Sequence, residues 1–426
     1  PRSSTFLLPA TPVHGIIPAL EATMTFNFDA EIDRTGTHSI KWEFLFEGHK
    51  LVFGDHAQAK HGRDRLLPMW VADMDFRCPP AVIDALTERV AHGIFGYAMP
   101  SDSYYEAVIN WMARRYGVVV ERDWLVLTPG IVPALNMLVE TLIAPGDKVL
   151  VQRPVYYPFF AAIENNGGEI VSNTLVLENG RYTIDFDDLA AKAADPAVKM
   201  AILCSPHNPV GRVWTREELT RFGEICLAND VLVISDEIHC DLIYDGVAFT
   251  SFAAINETFA QKSIICTAPS KTFNMAGLKT SNIIIQDKEI RAKLNKTLLR
   301  HGLLGGNALG LVATEAAYNH GEAWLAEVMA YIEANYHFMV AYLAEHLPQL
   351  EVIRPEGTYL VWVDCRKLGL DAAARRQLLL GEAKVFLDNG EMFGPEGEGF
   401  ERFNLACPRS ILAEALERIG TAVSHL

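Results

Sequence analysis

Positive charge and long apolar runs are both scarce in this sequence. Its 37 lysine and arginine residues face 53 aspartate and glutamate residues, which gives a net charge of −16 without long acidic runs. Such a balance argues against nucleic acid or an anionic membrane as a main partner. No apolar run approaches the length that is needed to span a bilayer. The composition therefore favours a soluble protein.

Paired cysteines are also missing. The seven cysteines are an odd number, and no C-x-x-C motif occurs. Most of them stand inside apolar runs, which is typical of reduced cysteines in the core of a cytosolic protein. We therefore expect a cytoplasmic location.

A dinucleotide-binding glycine fingerprint is absent too. No G-x-G-x-x-G motif follows a predicted strand, which disfavours a nicotinamide-dependent dehydrogenase. The chain is nevertheless large, with 426 residues of which half are hydrophobic. That is enough for two domains, or for one domain with a large appendage.

The first 23 residues differ from the rest of the chain. They contain four prolines and show little periodicity. A signal peptide would need a basic start and a compact apolar stretch. Here Pro9 directly follows the apolar pair Leu7 and Leu8 and so ends the apolar stretch. We interpret residues 1–23 as a tag or another non-native extension.

Apolar strands alternate with helices through the middle of the chain. Predicted strands cover residues 124–128, 148–151, 169–171, 198–204, 231–235, 263–267 and 281–285. This alternation predicts an α/β fold, in which a mainly parallel sheet is covered by helices on both faces. After Asn307 the pattern changes to long helices and a few strands, which predicts a smaller α+β domain. We therefore expect a large domain over residues 71–308 and a small domain formed by residues 24–70 and 309–426.

Two carboxylates, Asp73 and Asp75, end an apolar stretch that begins near Leu66. A metal site is one interpretation of such a pair. No histidine or third carboxylate follows at a ligand spacing, so we favour a turn that lines a cleft and predict no metal.

Lys271 lies on the loop between two predicted strands, where an open α/β sheet binds its ligands. A lysine can form a Schiff base with an aldehyde once its ammonium has lost a proton. A solvated loop lysine is the commoner outcome for a residue in this position. The residues at the other strand ends therefore decide whether Lys271 is a catalytic lysine or a solvated loop lysine.

Three further strand ends offer groups that suit a phosphorylated pyridine aldehyde. The turn Gly130, Ile131 and Val132 opens a helix, whose free N–H groups and dipole favour an anion. Asn208 follows another strand, either as turn chemistry or as an amide donor to a phenolate oxygen. Asp236 ends an apolar strand, where a buried carboxylate needs a partner such as a pyridinium N–H.

An aromatic residue, Tyr156, follows a further strand end. Core packing is the usual role of such a residue, and stacking on a ligand ring is the alternative.

Several motifs in a fixed order resemble the fold-type I, class I/II aminotransferase superfamily of pyridoxal-phosphate enzymes. They are SPHNPVGR at residues 205–212, DEIH at 236–239 and SKTFNMAGL at 270–278. Residues 41–43, 70–76 and 404–409 resemble the cystathionine β-lyase, or C–S lyase, branch, which includes a member that also represses maltose genes. The resemblance extends from about Ile40 to the end of the chain.

The resemblance implies a role for each matched residue. Lys271 forms the Schiff base with pyridoxal 5′-phosphate, Asp236 pairs with the pyridine nitrogen and Asn208 holds the 3′ oxygen. Tyr156 stacks on the ring, and Arg402 grips the substrate α-carboxylate as a bidentate fork. The phosphate contacts come from the turn at residues 130–132, and from Tyr97 of a neighbouring subunit in a homodimer with shared active sites.

Three positions depart from the broad aminotransferase pattern. His239 stands where many relatives have a tyrosine that donates to the 3′ oxygen. Lys279 replaces the usual phosphate-binding arginine, so that a point charge replaces a fork. Ala268 stands where relatives often have a phosphate-binding serine.

The resemblance implies a lyase that cleaves cystathionine, cystine or another S-substituted cysteine to a thiol, pyruvate and ammonia. An aminotransferase that uses a second keto acid is the closest alternative. A lyase-like protein with an added regulatory role is another. The presence of Lys271, Asp236, Asn208 and Arg402 together argues against a purely non-catalytic role.

Overall fold

The strands of the protein have the following bounds in a computed structural model that describes residues 25–47, 50–53, 65–303 and 305–426. They are β1 Phe44–Glu47, β2 Lys50–Phe53, β3 Leu67–Pro68, β4 Leu125–Thr128, β5 Lys148–Val151, β6 Glu169–Ser172, β7 Val176–Glu178, β8 Arg181–Thr183, β9 Val198–Cys204, β10 Leu232–Asp236, β11 Ser263–Thr267, β12 Ser281–Ile285, β13 Glu351–Ile353, β14 Leu360–Asp364, β15 Val385–Phe386, β16 Asp388–Asn389 and β17 Phe400–Asn404. The predicted extension at residues 1–23 lies outside the described residues.

The α-helices lie between these strands and in the last third of the chain. They are α1 Ile40–Glu43, α2 Pro80–His92, α3 Asp102–Tyr116, α4 Ile131–Leu142, α5 Pro158–Glu164, α6 Phe186–Ala193, α7 Arg216–Ala228, α8 Glu257–Gln261, α9 Pro269–Thr272, α10 Lys288–Arg300, α11 Ala308–His320, α12 Glu322–His346, α13 Ala372–Arg376 and α14 Arg409–Val423. Local signals fix several of their starts. Thr215, for example, forms a capping box with Glu218 at the start of α7.

The main sheet has the strand order β4-β12-β11-β10-β9-β5-β6 within the described residues. The pairs around β9, β10 and β5 are parallel, whereas β12 is antiparallel to both of its neighbours. The carboxyl ends of the six codirectional strands therefore meet at one edge, and most of the predicted site residues lie at these ends or in the loops that follow them, whereas Arg402 lies on β17 and Tyr97 between α2 and α3. The predicted mainly parallel sheet is confirmed.

Helices cover both faces of this sheet. Successive residues of β9 point to opposite sides, so that Ile202 packs in one hydrophobic cluster and Leu203 in another. The first cluster includes Leu135 of α4, and the second includes Phe222 of α7. Burial on both faces explains why the strands are almost uniformly apolar.

A second, antiparallel sheet with the order β13-β14-β17-β16 packs against α12 and α14. The segment at residues 67–68 joins this part of the molecule, since β3 pairs in parallel with β15. These contacts agree with a small domain built from both ends of the chain. The exact domain boundaries at residues 70 and 308 stay a prediction.

Two features of the described residues bear on the cellular setting. All seven cysteines are free, and six of them are buried, as their apolar surroundings in the sequence predicted. No helix in the described ranges is long and apolar enough to cross a membrane.

Candidate active site

A cleft with about 830 Å³ of empty space opens at the carboxyl ends of the main strands. Its walls come from the loops after β4, β5, β9, β10 and β11 and from the segment that precedes α2. The lining residues are Ala72, Pro129, Gly130, Ile131, Val132, Pro133, Tyr156, Cys204, Asn208, Asp236, Ile238, His239, Ser270, Lys271, Ala276, Lys279 and Thr280.

Nine of the predicted site residues line this cleft. They are Gly130, Ile131, Val132, Tyr156, Asn208, Asp236, His239, Lys271 and Lys279. Arg402 lies just behind the wall and contacts the cleft residue Asn208. Tyr97 lies elsewhere, fully exposed in the loop between α2 and α3.

Lys271 stands on the short helix α9, directly after the buried strand β11. Its Nζ atom donates a hydrogen bond to the carbonyl oxygen of Ala72 over 2.7 Å. Burial lowers the pKa of Lys271 to about 8, and the positive charges of Arg402 and Lys279 add to this effect. The carboxylates of Asp73 and Asp236 oppose it. A lysine with this pKa is partly neutral near neutral pH, as a nucleophilic or basic amine must be.

Asp236 ends β10, opposite Lys271 in the cleft, and is 3% exposed. Cys204 and Cys266 are its neighbours on the two adjacent strands. Among the described residues its hydrogen-bond donor is the N–H of Ile238, at 3.2 Å. Burial raises the pKa of Asp236 to about 7, with Lys271 opposing the shift. Asp236 is therefore a buried acid without an ion-pair partner among the described residues.

Asn208 is oriented by Arg402. The Nη1 atom of Arg402 donates to Oδ1 of Asn208 over 2.9 Å. Since the amide oxygen is occupied in this way, the amide nitrogen is the group that Asn208 presents to the cleft. The motif thus supplies a hydrogen-bond donor beside Asp236.

Arg402 has two more partners besides Asn208. Its Nη2 atom donates to the carbonyl oxygen of Trp70 over 3.1 Å and to the carboxylate of Asp388. The sequence predicted a free fork for a substrate carboxylate, and it missed Asp388. Asp388 could have been identified from the sequence, because it ends an apolar run, as Asp236 does.

The start of α4 lies at one end of the cleft. The N-cap Gly130 has a φ of +125°, which favours glycine, and its N–H donates to Ser281 Oγ over 3.0 Å. Among the described residues, no acceptor takes the N–H of Ile131 or Val132, so both are available to a phosphate.

The sequence analysis did not predict two hydroxyl side chains near this end of the cleft. Ser270 and Thr280 line the cleft beside Lys279, whereas Ala268 is buried away from it. Ser270 stands next to Lys271, and that adjacency is the signal that could have identified it. One lysine and two hydroxyl groups therefore line this part of the cleft.

The aromatic and histidine positions complete the walls. Tyr156 lies in the cleft and packs its edge against Phe159, with ring centroids 5.9 Å apart. His239 is buried, and burial lowers its pKa well below the usual range, which keeps the ring neutral. Its Nδ1 atom has no partner among the described residues.

The segment at residues 70–74 ties these groups together through its carbonyl oxygens. The carbonyl of Trp70 accepts from Arg402, that of Ala72 accepts from Lys271 and Tyr359, and that of Met74 accepts from Asn274. One short stretch therefore contacts both Lys271 and Arg402.

The two carboxylates that follow Ala72 anchor this segment. Asp75 pairs with Lys41 and Arg34, each at 2.8 Å, and Asp73 pairs with Arg34 at 2.9 Å. Burial by itself would raise the pKa of Asp75, but the two cations lower it below its usual value. No group of three or more histidine, cysteine, aspartate or glutamate side chains in the described ranges could hold a metal ion. The predicted turn at the cleft is therefore held by ion pairs.

The donor set fits pyridoxal 5′-phosphate. The buried acid of Asp236 matches a pyridine N–H, and the amide nitrogen of Asn208 matches the 3′ oxygen. The free N–H groups of Ile131 and Val132 match a phosphate. Lys271 supplies the amine that an aldehyde requires.

Comparisons with known proteins agree with this fit. The sequence pattern of the family Aminotransferase class I and II matches residues 66–419. The chain is 46% identical over 398 residues to cystathionine beta-lyase PatB of Bacillus subtilis (strain 168), which covers 93% of this chain and 100% of that protein.

Two solved structures share the fold. Cystalysin from Treponema denticola, which contains a pyridoxal 5′-phosphate cofactor, matches with a TM-score of 0.88 at 38% identity, over 94% of this chain and 100% of that chain. The pyridoxal-phosphate-bound C–S lyase from Staphylococcus hominis matches with a TM-score of 0.85 at 36% identity, over 94% and 98%. Both the predicted fold class and the predicted superfamily are confirmed, and the chain belongs to the class I and II aminotransferase family.

Proposed function

We propose that the protein is a pyridoxal-phosphate-dependent C–S β-lyase, which converts cystathionine, cystine or another S-substituted cysteine to a thiol, pyruvate and ammonia. The observation that carries this proposal is the juxtaposition of Lys271 and Asp236 in one cleft, with Asn208 and Arg402 beside them. The likeness to PatB and to the two solved structures favours a lyase over other reactions of the family.

Bound pyridoxal phosphate supplies a pyridine ring that withdraws the electron pair left on the substrate Cα atom. The residues of this chain do the rest. Asp236 keeps a proton on the ring nitrogen, and Asn208 donates its amide hydrogen to the 3′ oxygen. Tyr156 packs on the ring, and the start of α4 binds the phosphate together with Lys279.

Lys271 and Arg402 act on the substrate. Arg402 binds the α-carboxylate and so orients the Cα–H bond toward Lys271. The neutral Nζ atom of Lys271 removes the Cα proton, and a thiolate leaves from Cβ. The carbonyl of Ala72 holds Nζ at the floor of the cleft, which limits the positions that the base can occupy.

The direct test is to incubate purified protein with cystathionine and no keto acid, and to measure pyruvate. A lyase produces pyruvate in proportion to time under these conditions. An aminotransferase, the second candidate, stops after one turnover because it needs a keto acid to return to its starting form. Absence of sustained pyruvate production, together with turnover when a keto acid is added, would replace the lyase by the aminotransferase.

The pKa of Lys271 leads to a prediction about cofactor uptake. Because burial lowers this pKa to about 8, the neutral amine is the major form only above that pH. We expect the rate at which apoprotein attaches pyridoxal phosphate to rise about tenfold per pH unit below pH 8 and to level off above it. Stopped-flow absorbance of the cofactor measures this rate.

A matched variant sharpens this prediction. Lys279 adds to the lowering of the Lys271 pKa, so Lys279→Gln should move the profile to higher pH. A rate that stays flat from about pH 6 to pH 9 in the unmodified protein would contradict the assignment of Lys271 as the attacking amine.

We further propose that two chains form a homodimer with shared active sites and that the protein works in the cytoplasm. Four large apolar residues of the loop between α2 and α3 are exposed, which is typical of an interaction surface: Ile94, Phe95, Tyr97 and Met99. In a two-fold dimer of the kind that the family resemblance implies, Tyr97 reaches the phosphate of the partner subunit. The free cysteines suit a reducing compartment.

Subunit mixing tests the shared site. Tyr97→Phe protein and Lys271→Ala protein are combined under conditions that allow exchange. If sites are shared, one site of each mixed dimer carries both lesions and the other carries none, so activity rises above the sum of the parents. The test requires that Tyr97→Phe is itself strongly impaired.

The control mixes Lys271→Ala protein with Asp236→Ala protein. Both residues belong to the site of their own chain, so neither substitution affects the site of the partner. Each site of that mixed dimer carries one lesion, so no gain is expected. Proven exchange without any gain in the Tyr97 mixture, or a monomer at working concentration, would exclude the shared site.

A further inference from the structure

Both Nη atoms of Arg402 already donate to other groups. Its Nη1 atom donates to Asn208, and its Nη2 atom donates to both Trp70 and Asp388. Its Nε atom is buried without an acceptor among the described residues, and the side chain is 2% exposed. A substrate carboxylate therefore cannot form a bidentate pair with Arg402 unless one of the present partners withdraws.

Asp388 is the partner that resembles a substrate carboxylate. It lies on β16, directly opposite Arg402 in the antiparallel pair with β17, and it is 3% exposed. Its carboxylate has the charge and the planar shape of the group that Arg402 binds in the proposed reaction. The carbonyl of Trp70 and the amide of Asn208 carry no charge and hold the other side of the guanidinium.

We propose that Asp388 is an internal counter-ion that occupies Arg402 until substrate arrives, and that it takes up one proton from solvent when the substrate α-carboxylate replaces it. This inference rests on the proposed function, because Arg402 must be the group that binds the α-carboxylate. The proton leaves a hydronium ion or a buffer acid in solution, where its old bond breaks, and the O–H bond on Asp388 is the only covalent bond that forms on the protein.

The charge balance gives the physical reason for the proton. Two carboxylates next to one guanidinium would leave a buried negative charge without a partner, which is costly in a protein interior. Protonation of one carboxylate removes that charge. Asp388 is the better candidate, since burial already raises its pKa and the loss of Arg402 removes the charge that opposes this shift.

Two of the other ionisable groups around this pair are acids with a raised pKa, and one of them, Asp236, is assigned to the ring nitrogen in the proposed function. Glu401 of β17 is paired with Arg375 at 2.6 Å, and Lys271 faces Arg402 from the cleft. The other four groups are neutral, because burial raises the pKa of a tyrosine and lowers the pKa of a histidine. They are Tyr156, Tyr157, Tyr359 and His239. Glu401 is the remaining acid, because burial raises its pKa to about 8. It is therefore the residue that a control must test.

The consequence is a pH-dependent affinity for carboxylates. Asp388 is ionised in the free enzyme above its own pKa, and binding must then add a proton. In that range the apparent Kd of a carboxylate ligand rises about tenfold per pH unit. Removal of the Asp388 charge should abolish this rise and tighten binding at high pH.

Calorimetry on the holoenzyme tests the proposal. The probe is S-methylated mercaptopropionate, which has the substrate skeleton without its amino group and so does not react with the cofactor. Titrations at about pH 8 in two buffers of different ionisation enthalpy give the number of protons taken up on binding. On binding the probe, the unmodified enzyme should take up to about one proton more from solution than the Asp388→Asn variant does. The variant should bind the probe about tenfold more tightly than the unmodified enzyme.

The choice of asparagine keeps the fold and the position of Arg402, because its carbonyl oxygen still accepts from Nη2. Glu401→Gln removes a neighbouring buried carboxylate and should leave the proton uptake of the unmodified enzyme unchanged. Equal proton uptake and equal affinity in the unmodified enzyme and Asp388→Asn would overturn the proposal. Weaker binding by Asp388→Asn would also overturn it, since Asp388 would then merely hold Arg402 in place.

A failure of the underlying function is distinguishable from a failure of the inference. If Arg402→Lys binds the probe as tightly as the unmodified enzyme, or if neither protein binds it, Arg402 is not the carboxylate site and the premise is lost. If Arg402→Lys weakens binding and Asp388→Asn changes nothing, the premise stands and the role of Asp388 alone is refuted. Sustained pyruvate production reports separately on the lyase reaction.

Discussion

Replacement of Lys271 by alanine should lower kcat for pyruvate formation from cystathionine at least about 10³-fold. The variant loses the cleft amine that donates to the carbonyl of Ala72, which in the proposed function is both the nucleophile toward the cofactor aldehyde and the base for the Cα proton. It should also lose the visible absorption band of lysine-bound cofactor. Steady-state kinetics and an absorption spectrum of cofactor-saturated protein measure the two effects.

A lysine on the surface provides the matched control for this variant. Lys296 is exposed on α10, away from the cleft, and Lys296→Ala should retain both the band and the turnover. Added methylamine should restore part of the activity of Lys271→Ala, because it replaces the missing base. Full activity of the alanine variant without any added amine would refute the role of Lys271.

Replacement of Asp236 by alanine should lower kcat by about 10²–10³-fold while it weakens cofactor binding much less. The start of α4 carries much of the affinity through the phosphate, whereas the charge on the pyridine nitrogen matters most as negative charge develops on the substrate. Kinetics at saturating pyridoxal phosphate separate these two effects. An unchanged kcat in saturated protein would remove Asp236 from the mechanism.

Glu237 is a close control for Asp236. Both are buried acids whose pKa burial raises to about 7, and they are adjacent in the sequence. The carboxylate of Glu237 accepts from the Phe252 N–H at 2.8 Å and the Ser235 hydroxyl at 3.0 Å, and it does not line the cleft. Glu237→Gln should therefore keep kcat within a few-fold even if it lowers stability, which shows that position and not acidity makes Asp236 important.

Local pattern was enough to predict the strands and helices of the main sheet. Buried strands are continuous apolar runs, and helix starts carry caps such as Thr215, so both signals lie within a few residues of the element that they define. The strand ends could be predicted for the same reason. Asp236 ends an apolar run and Lys271 stands four residues after the end of another, and parallel strands bring such positions to one edge.

The sequence by itself therefore determined the fold class and the family, along with most residues that line the cleft. What those residues contact was decided by tertiary structure alone. Lys271 donates to a carbonyl 199 positions away, and Arg402 donates to one 332 positions away. Backbone carbonyls have no sequence signature, because every residue carries one, so the role of the segment at residues 70–74 was not predictable.

The pairing of Arg402 with Asp388 shows the same limit. Arg402 was predicted from the sequence and Asp388 was missed, and only the register of β16 and β17 places them opposite each other. A shift of one residue in that register would turn Asp388 to the other face of the sheet. Sequence chemistry thus selected the groups that this protein uses, and strand register decided which of them meet, because the free energy of burying a charge depends on its neighbours in space.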